Sequence, residues 1–165
     1  MLSPDDLFVL VKAFFKEKGL VRQHLDSYNE FIEHGLQEVI DSIGEIEVPS
    51  PEGPYKIVFG KIKVGAPRVK DIHLGEKPLY PREARIRDLT YAAPLFLEMR
   101  RVQGGREYEP EEVPIGDIPV MLRSKICYLS QMPVEEQIAV GEDPDDPGGY
   151  FIINGSERVI VSLED

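Results

Sequence analysis

Within six positions the chain places Pro49, Pro51, Gly53 and Pro54, a break that no helix can cross. It divides a helical part, residues 4–44, from a strand-rich part, residues 55–165. Ahead of the break, Ser3, Pro4 and Asp6 have the layout of a helix N-cap, a proline at the first helical position and a capping-box-like acid. Leu7, Leu10, Val11, Phe14 and Phe15 recur at i, i+3, i+4, i+7 and i+8, which predicts a helix with one apolar stripe, and Gly19 supplies its stop. A second helical pattern follows Leu20-Val21; Ser27 with Glu30 forms a second capping box within it, and Phe31, Ile32, Leu36, Val39, Ile40 and Ile43 continue at helical spacing to Gly44. Gly35 inside that helix costs about 1 kcal/mol relative to alanine. Both stripes read as core faces rather than partner grooves.

Strands are expected after the break. From Tyr55 to Val64 the apolar face runs Tyr55, Ile57, Phe59 and then changes parity to Ile62 and Val64, which makes Gly60 a β-bulge. Ile86 to Tyr91, Pro94 to Val102 and Tyr108 to Ile115 also read as strands, with Gly104-Gly105 as the turn between the last two. Pro119 to Leu122 is a short extended piece, and Ser124 to Leu129 reads as one or two helical turns capped by Ser124. An acidic, turn-rich stretch from Glu142 to Gly149 precedes a terminal strand pair around Asn154-Gly155, the residues that a type I′ turn requires because both central positions need positive φ. A two-residue turn pairs Ile153 with Ser156 and Phe151 with Arg158; a four-residue loop would match Ile152 with Val159 instead, and the shorter turn is favoured. The fold class that follows is α+β, two N-terminal helices packed on a mainly antiparallel sheet.

Composition narrows what such a chain can do. With 165 residues, 42% of them hydrophobic and 30% charged, it fits one soluble domain and is too apolar for intrinsic disorder. No apolar run approaches the roughly 20 residues that span a bilayer, so no membrane partner is expected. The opening residues lack the basic region and cleavage site of a secretory signal, and a single cysteine, Cys127, cannot form an internal disulfide. A reducing, cytoplasmic setting is expected. The net charge of −11 is the opposite of the basic footprint of a free-standing DNA-binding domain, so any nucleic-acid contact must be local.

No catalytic constellation emerges from the residues. Glu142, Asp143, Asp145 and Asp146 could supply oxygens to a hard cation, but Pro144 and Pro147 interrupt them and the pattern of a calcium loop is missing. His24, His34 and His73 lie at no ligand spacing and read as structural or surface histidines. Cys127, among Ile126, Tyr128 and Leu129, reads as a small buried hydrophobe. Gly104-Gly105-Arg106 lacks the lysine and hydroxyl of a phosphate loop. What remains is basic clustering within an acidic chain: Arg82, Arg85 and Arg87, then Arg100-Arg101, then Arg123, Lys125 and Arg158. Strand arginines usually face water or pair with acids, so each alone is weak evidence of a site.

Four segments nevertheless carry a resemblance. Gly148-Gly149-Tyr150-Phe151-Ile152-Ile153-Asn154-Gly155-Ser156-Glu157-Arg158-Val159-Ile160-Val161 resembles a signature of the second-largest subunit of multisubunit DNA-directed RNA polymerase, called β in bacteria. Residues 23–32 (QHLDSYNEFI), 80–91 (YPREARIRDLTY) and 118–124 (IPVMLRS) are similar to further segments of that family and occur in family order. Ala92-Ala93-Pro94 followed by Leu95-Phe96-Leu97-Glu98-Met99 looks archaeal.

The resemblance implies a fragment of a much longer subunit, corresponding to the first part of a discontinuous protrusion domain that resumes after an inserted lobe. It implies one wall of the DNA cleft in a nucleotidyltransferase, with no catalytic residues in this stretch and with magnesium and zinc held elsewhere in the assembly. The implied partners are the other polymerase subunits and the remainder of this one, DNA and the RNA–DNA hybrid, initiation factor B and a NusG-class elongation factor. Arg158 and Val161 match positions that lie by the hybrid in bacterial relatives, while Asn154 and Gly155 are expected to serve as a structural turn. A stand-alone protein-interaction module derived from the same domain is the alternative.

Overall fold

The computed structural model describes residues 3–49, 53–71 and 75–161, apart from the side chains of residues 4, 5 and 71. Helix α1, Pro4–Lys18, opens on the expected capping box: the Asp6 amide donates to Ser3 Oγ at 3.2 Å and the Ser3 amide donates to Asp6 Oδ2 at 3.0 Å. The Ser3 amide, and with it the Ser3 hydroxyl donating to the same Oδ2 at 2.8 Å, hold the Asp6 carboxyl below its ordinary value. Gly19 ends the helix at φ 76.

Helix α2, Arg22–Glu30, begins directly after Leu20-Val21 as the pattern implies, but Ser27 lies inside it and caps nothing. Tertiary packing sets the start. Val21 sits against Gly149, whose Cβ position is 2.8 Å from Val21 Cβ and would not admit a side chain. Two turns on, Tyr28 donates to the Pro119 carbonyl at 2.6 Å and meets Phe151 edge-on at 5.5 Å. Helix must exist from Arg22 for Leu25 and Tyr28 to share that face. A π-helical turn, Phe31–Gly35, leads into α3, Leu36–Ile43, which Gly44 closes at φ 65.

The main sheet is antiparallel. Strand β1, Glu45–Val48, comes before the Pro-rich break rather than after it, because Gly44 reverses the chain and lets β1 pair with β2, Tyr55–Val64. The register of β2 against β5, Ala92–Gln103, shifts between Phe59 and Ile62, which is the bulge expected at Gly60. Beside this irregularity α3 is fastened by one side chain: Gln37 Nε2 donates to the Gly60 carbonyl at 3.1 Å and Gln37 Oε1 accepts from the Ile62 amide at 3.1 Å. Strand β5 also pairs with β6, Arg106–Glu107, through the Gly104-Gly105 turn, and with β7, Glu111–Pro119. Pro110 separates the last two, so the strand expected over 108–115 begins later and runs further. A small pair, β3 (Arg68–Asp71) and β4 (Gly75–Pro78), stands apart from this sheet.

Two other expectations fail for local reasons. The strand expected over 86–91 is instead the end of α4, Pro81–Ile86, followed by a turn. Pro81 is preset for the first helical position, and Pro81 and Ala84, three residues apart, are both buried. Ser124 caps no helix: residues 124–127 form a turn, α5 spans Tyr128–Gln131 behind Cys127, and Ser124 Oγ is buried without a partner. A further short helix, α6, runs over Val134–Ala139.

The core is drawn mainly from residues 79–152. Leu79, Ala84, Tyr91, Ala93, Val120, Leu122, Cys127, Leu129 and Ile152 form one buried cluster, and Tyr28, Met121 and Phe151 a smaller one. Cys127 is the small buried side chain the sequence implied, and it accepts from the Tyr91 hydroxyl at 3.6 Å. The α1 stripe, by contrast, is not part of any core: Leu7, Phe8, Leu10, Val11, Phe14 and Phe15 are all exposed. Of the N-terminal helices, α2 and α3 pack on the body.

Candidate nucleic-acid interface

The terminal hairpin is built from β8, Phe151–Ile153, and β9, Ser156–Arg158. Its two turn residues have φ 48 at Asn154 and φ 75 at Gly155, and the strands pair Ile153 with Ser156, Ile152 with Glu157 and Phe151 with Arg158. The turn is pressed onto the loop after α4. The Gly155 amide donates to the Leu89 carbonyl at 2.9 Å, and a Cβ at Gly155 would stand 2.7 Å from Asp88 Oδ1 and 2.9 Å from Asp88 Cα. The Asn154 amide donates to Thr90 Oγ1 at 3.1 Å.

Because side chains alternate along a strand, Ile152 and Glu157 face one side of the hairpin and Phe151 and Arg158 the other. On the first side lies Arg85 of α4. Its Nε donates to Glu157 Oε1 at 2.8 Å, its Nη1 to Glu142 Oε2 at 3.1 Å and its Nη2 to the Tyr150 hydroxyl at 2.7 Å. Tyr150 in turn donates to Asp146. Burial opposes the Arg85 charge, but Tyr150, Glu157 and Glu142 more than offset it and hold the guanidinium above its ordinary value. Burial, together with the bond to Asp146, also raises the Tyr150 phenol.

The acidic loop is thereby turned inward. Glu142, with its side chain almost fully buried, accepts from the Arg82 amide as well as from Arg85, and Asp146 accepts from the Gly148 amide at 2.8 Å. Arg123 spans the same loop, donating to the carbonyls of Asp143 and Pro144 at 3.0 Å each. Among the described residues no group of three or more His, Cys, Asp or Glu could hold a metal ion.

On the opposite side of the hairpin, Arg158 is exposed and has no ion-pair or hydrogen-bond partner for its side chain among the described residues. Its sequence neighbour Glu157 is occupied by Arg85. Beyond it, Val159, Ile160 and Val161 are exposed, Val161 at 71%. A cleft of about 430 Å³ lies on this side between α2 and the hairpin, walled by Gln23, His24, Ser27, Phe31, Phe151 and Ile160. His24 is half-buried there and His34 is exposed, while His73 lies outside the described residues.

The other basic positions are dispersed. Arg87 pairs with Glu83, Arg100 with Glu107 at 3.3 Å and Lys125 with Glu33, while Arg101 stacks on Tyr108 with its guanidinium carbon 3.9 Å from the ring centroid. Sequence reasoning placed Arg85 in a basic cluster but missed its bond to Glu157, which is 72 residues away in the chain. A separation of that kind leaves no periodic signal.

The family described as RNA polymerase beta subunit matches residues 19–165 of this chain. The chain belongs to that family. It is 56% identical over 164 residues to the DNA-directed RNA polymerase subunit Rpo2 of Saccharolobus shibatae, an alignment covering 99% of this chain and 14% of that protein. Against subunit Rpo2N of Methanocaldococcus jannaschii it is 52% identical over 160 residues, 94% of this chain and 32% of that one. Rpo2N of Halobacterium salinarum is 42% identical over 98% of this chain. The chain therefore represents the N-terminal part of the second-largest polymerase subunit in its archaeal form, and it spans about a seventh of the Rpo2 proteins. Among the described residues no helix is long and apolar enough to cross a membrane.

Proposed function

We propose that the chain, residues 1–165, forms the first part of the protrusion domain of a DNA-directed RNA polymerase, with helical residues 4–44 and strand-rich residues 55–165. In this reading it is one wall of the DNA cleft in a cytoplasmic nucleotidyltransferase. It contributes shape and charge rather than catalytic groups, with magnesium and zinc held by other parts of the assembly. The protrusion also offers a docking surface to initiation factor B and a NusG-class elongation factor. Arg158 and Val161 lie beside the RNA–DNA hybrid, and Asn154 with Gly155 sets the turn that aims them.

The observation that carries this reading is the division of labour between adjacent residues. Had Arg158 paired with Glu157, it would have done no more than order the hairpin. Instead Arg85 holds Glu157 at 2.8 Å, and the Arg158 guanidinium stays available for a phosphate oxygen.

Reconstituted polymerase carrying Arg158→Ala tests it through elongation-complex lifetime measured across salt concentrations. Loss of one phosphate contact shortens the lifetime and lowers the salt slope by about 0.9. An unchanged lifetime with reduced thermal stability would assign Arg158 a structural role.

A further inference from the structure

Arginines gather at the far end of β5, and the pleat sorts them onto two faces. Arg100 lies on one face with Glu107, its partner at 3.3 Å. On the other, Arg101 and Tyr108 stand directly opposite each other, the Tyr108 amide donating to the Arg101 carbonyl at 2.9 Å, and Arg106 joins them two residues before Tyr108. The Arg101 guanidinium carbon is 3.9 Å from the Tyr108 ring centroid and that of Arg106 is 5.3 Å from it, so one ring steadies both cations. Elsewhere this acidic chain neutralises its cations: Lys56, Lys63, Arg68 and Arg87 each pair with a glutamate. Arg101 and Arg106 are exposed and form no ion pair among the described residues, although Glu109 and Glu111 border the cleft beside Arg101.

The chemistry of the pair indicates its ligand. Guanidinium groups donate two parallel bonds to phosphate oxygens, and a pair already held against a ring loses little freedom on binding. A single strand gripped by base stacking needs open aromatic faces, whereas the Tyr108 ring is taken up by Arg101 and Arg106. Backbone phosphates of a duplex need only the cations. The site is also well separated from the hairpin. Tyr91, at the foot of β5, donates its amide to the Ile152 carbonyl at 3.0 Å, so the hairpin bearing Arg158 sits at one end of the strand and the arginine pair at the other. From Ala92 to Arg101 the strand extends about 30 Å, the length of roughly nine base pairs of B-form DNA.

We propose that Arg101 and Arg106, steadied by Tyr108, form a sequence-independent contact with the phosphate backbone of duplex DNA, separate from the hybrid contact assigned to Arg158. The inference rests on the reading of the chain as one wall of the DNA cleft, and it gives that wall a second point of attachment. Because the chain as a whole carries a net charge of −11, the contact is confined to these two cations.

The test uses the full-length subunit in reconstituted polymerase. Arg101→Gln with Arg106→Gln removes both charges, and Arg101→Lys with Arg106→Lys keeps them. Complex lifetimes are measured across salt concentrations on a scaffold with long duplex flanks and on one trimmed to the RNA–DNA hybrid. On the long scaffold the glutamine pair should lower the salt slope by about 1.8, the value for two phosphate contacts, and the lysine pair should stay near the natural slope. On the trimmed scaffold all should agree. An unchanged slope for the glutamine pair on the long scaffold, or a loss that persists after trimming, would overturn the proposal. A photoreactive residue in place of Arg106 gives a second readout should the glutamine pair fail to assemble: transfer of label from duplex DNA supports the contact, while cross-links to protein alone, or none, overturn it. Arg158→Ala is measured in parallel. No effect of either set of variants rejects the cleft-wall reading, whereas an effect at Arg158 alone rejects only the contact at Arg101 and Arg106.

Discussion

Arg85 and Glu157 lie 72 residues apart in the chain and meet through Nε and Oε1 at 2.8 Å, tying α4 to the last strand of the terminal hairpin. The tie decides the orientation of the whole strand. With Glu157 drawn toward α4, the alternation of side chains turns Arg158 to the other face, where Phe151 rests on Tyr28.

Replacing Arg85 should therefore be costly. The Glu142 side chain is 4% exposed and would lose its cationic partner, leaving a buried carboxylate with the Arg82 amide alone. Arg85→Gln is expected to lower stability by about 3 kcal/mol, the order found when one member of a buried ion pair is removed. Arg85→Lys should recover a minority of that loss, because an ammonium cannot reach three acceptors in a planar fork. Denaturant midpoints of the two variants check this; equal midpoints for Arg85→Gln and the natural chain would remove the network from the account.

Gly155→Val meets two obstacles at once. The residue has φ 75, and its Cβ would lie 2.9 Å from backbone at Asp88. Backbone strain alone predicts a loss of about 1–3 kcal/mol, and the contact adds to it. Asn154→Gly, which keeps the turn conformation accessible, should be far milder. Thermal unfolding of both variants distinguishes them.

Acid should weaken the join between β4 and α4. Glu83 accepts from Lys77 Nζ at 2.8 Å and from Arg87; the Lys77 bond foremost, against the opposing effect of burial, holds its carboxyl below the ordinary 4.5. A depressed folded-state value gives stability that is complete above pH 4.5 and lost as the pH falls through the folded value. Glu83→Gln should therefore be less stable than the natural chain at neutral pH, with the gap closing below pH 4.5. A gap independent of pH would show that the carboxylate charge is not what Glu83 contributes.

Much of this arrangement could be read from local pattern. Ser3 with Asp6, Gly44 at the end of a helix, the parity change at Gly60 and Asn154-Gly155 are signals within a few residues, and the structure has the cap, the stop, the bulge and the favoured register at those places. Errors arose where long-range packing overrode local preference. Ser27 and Glu30 form a capping pattern, yet Val21 against Gly149 and Tyr28 against Phe151 start the helix earlier. Residues 86–91 read as a strand, but burial of Pro81 and Ala84 carries a helix through Ile86 and a turn follows it. The α1 stripe looked like core because periodicity reports an apolar face without reporting what covers it. At the candidate interface the turn was legible, whereas the choice of Glu157 by Arg85 was not, since pairing between distant charges leaves no mark on either local sequence.

The isolated chain is expected to associate with itself. Exposed apolar side chains on α1, together with those at residues 159–161, should drive dimerisation or aggregation at micromolar concentrations, as uncovered apolar patches do. Light scattering measures it directly, and Phe8→Glu with Phe14→Lys should reduce the effect. A clean monomer with a sharp, cooperative melt would contradict the expectation.

The most direct measurement of the central claim is site-specific cross-linking from position 158. A photoreactive residue replaces Arg158 in the full-length subunit, polymerase is reconstituted, and elongation complexes are formed with labelled RNA and labelled template DNA in separate samples. The account predicts transfer of nucleic-acid label to residue 158, and none to a control at Arg87, which lies on α4's side of the hairpin and pairs with Glu83. Absence of label at position 158 in active complexes, or equal labelling at position 87, would contradict it.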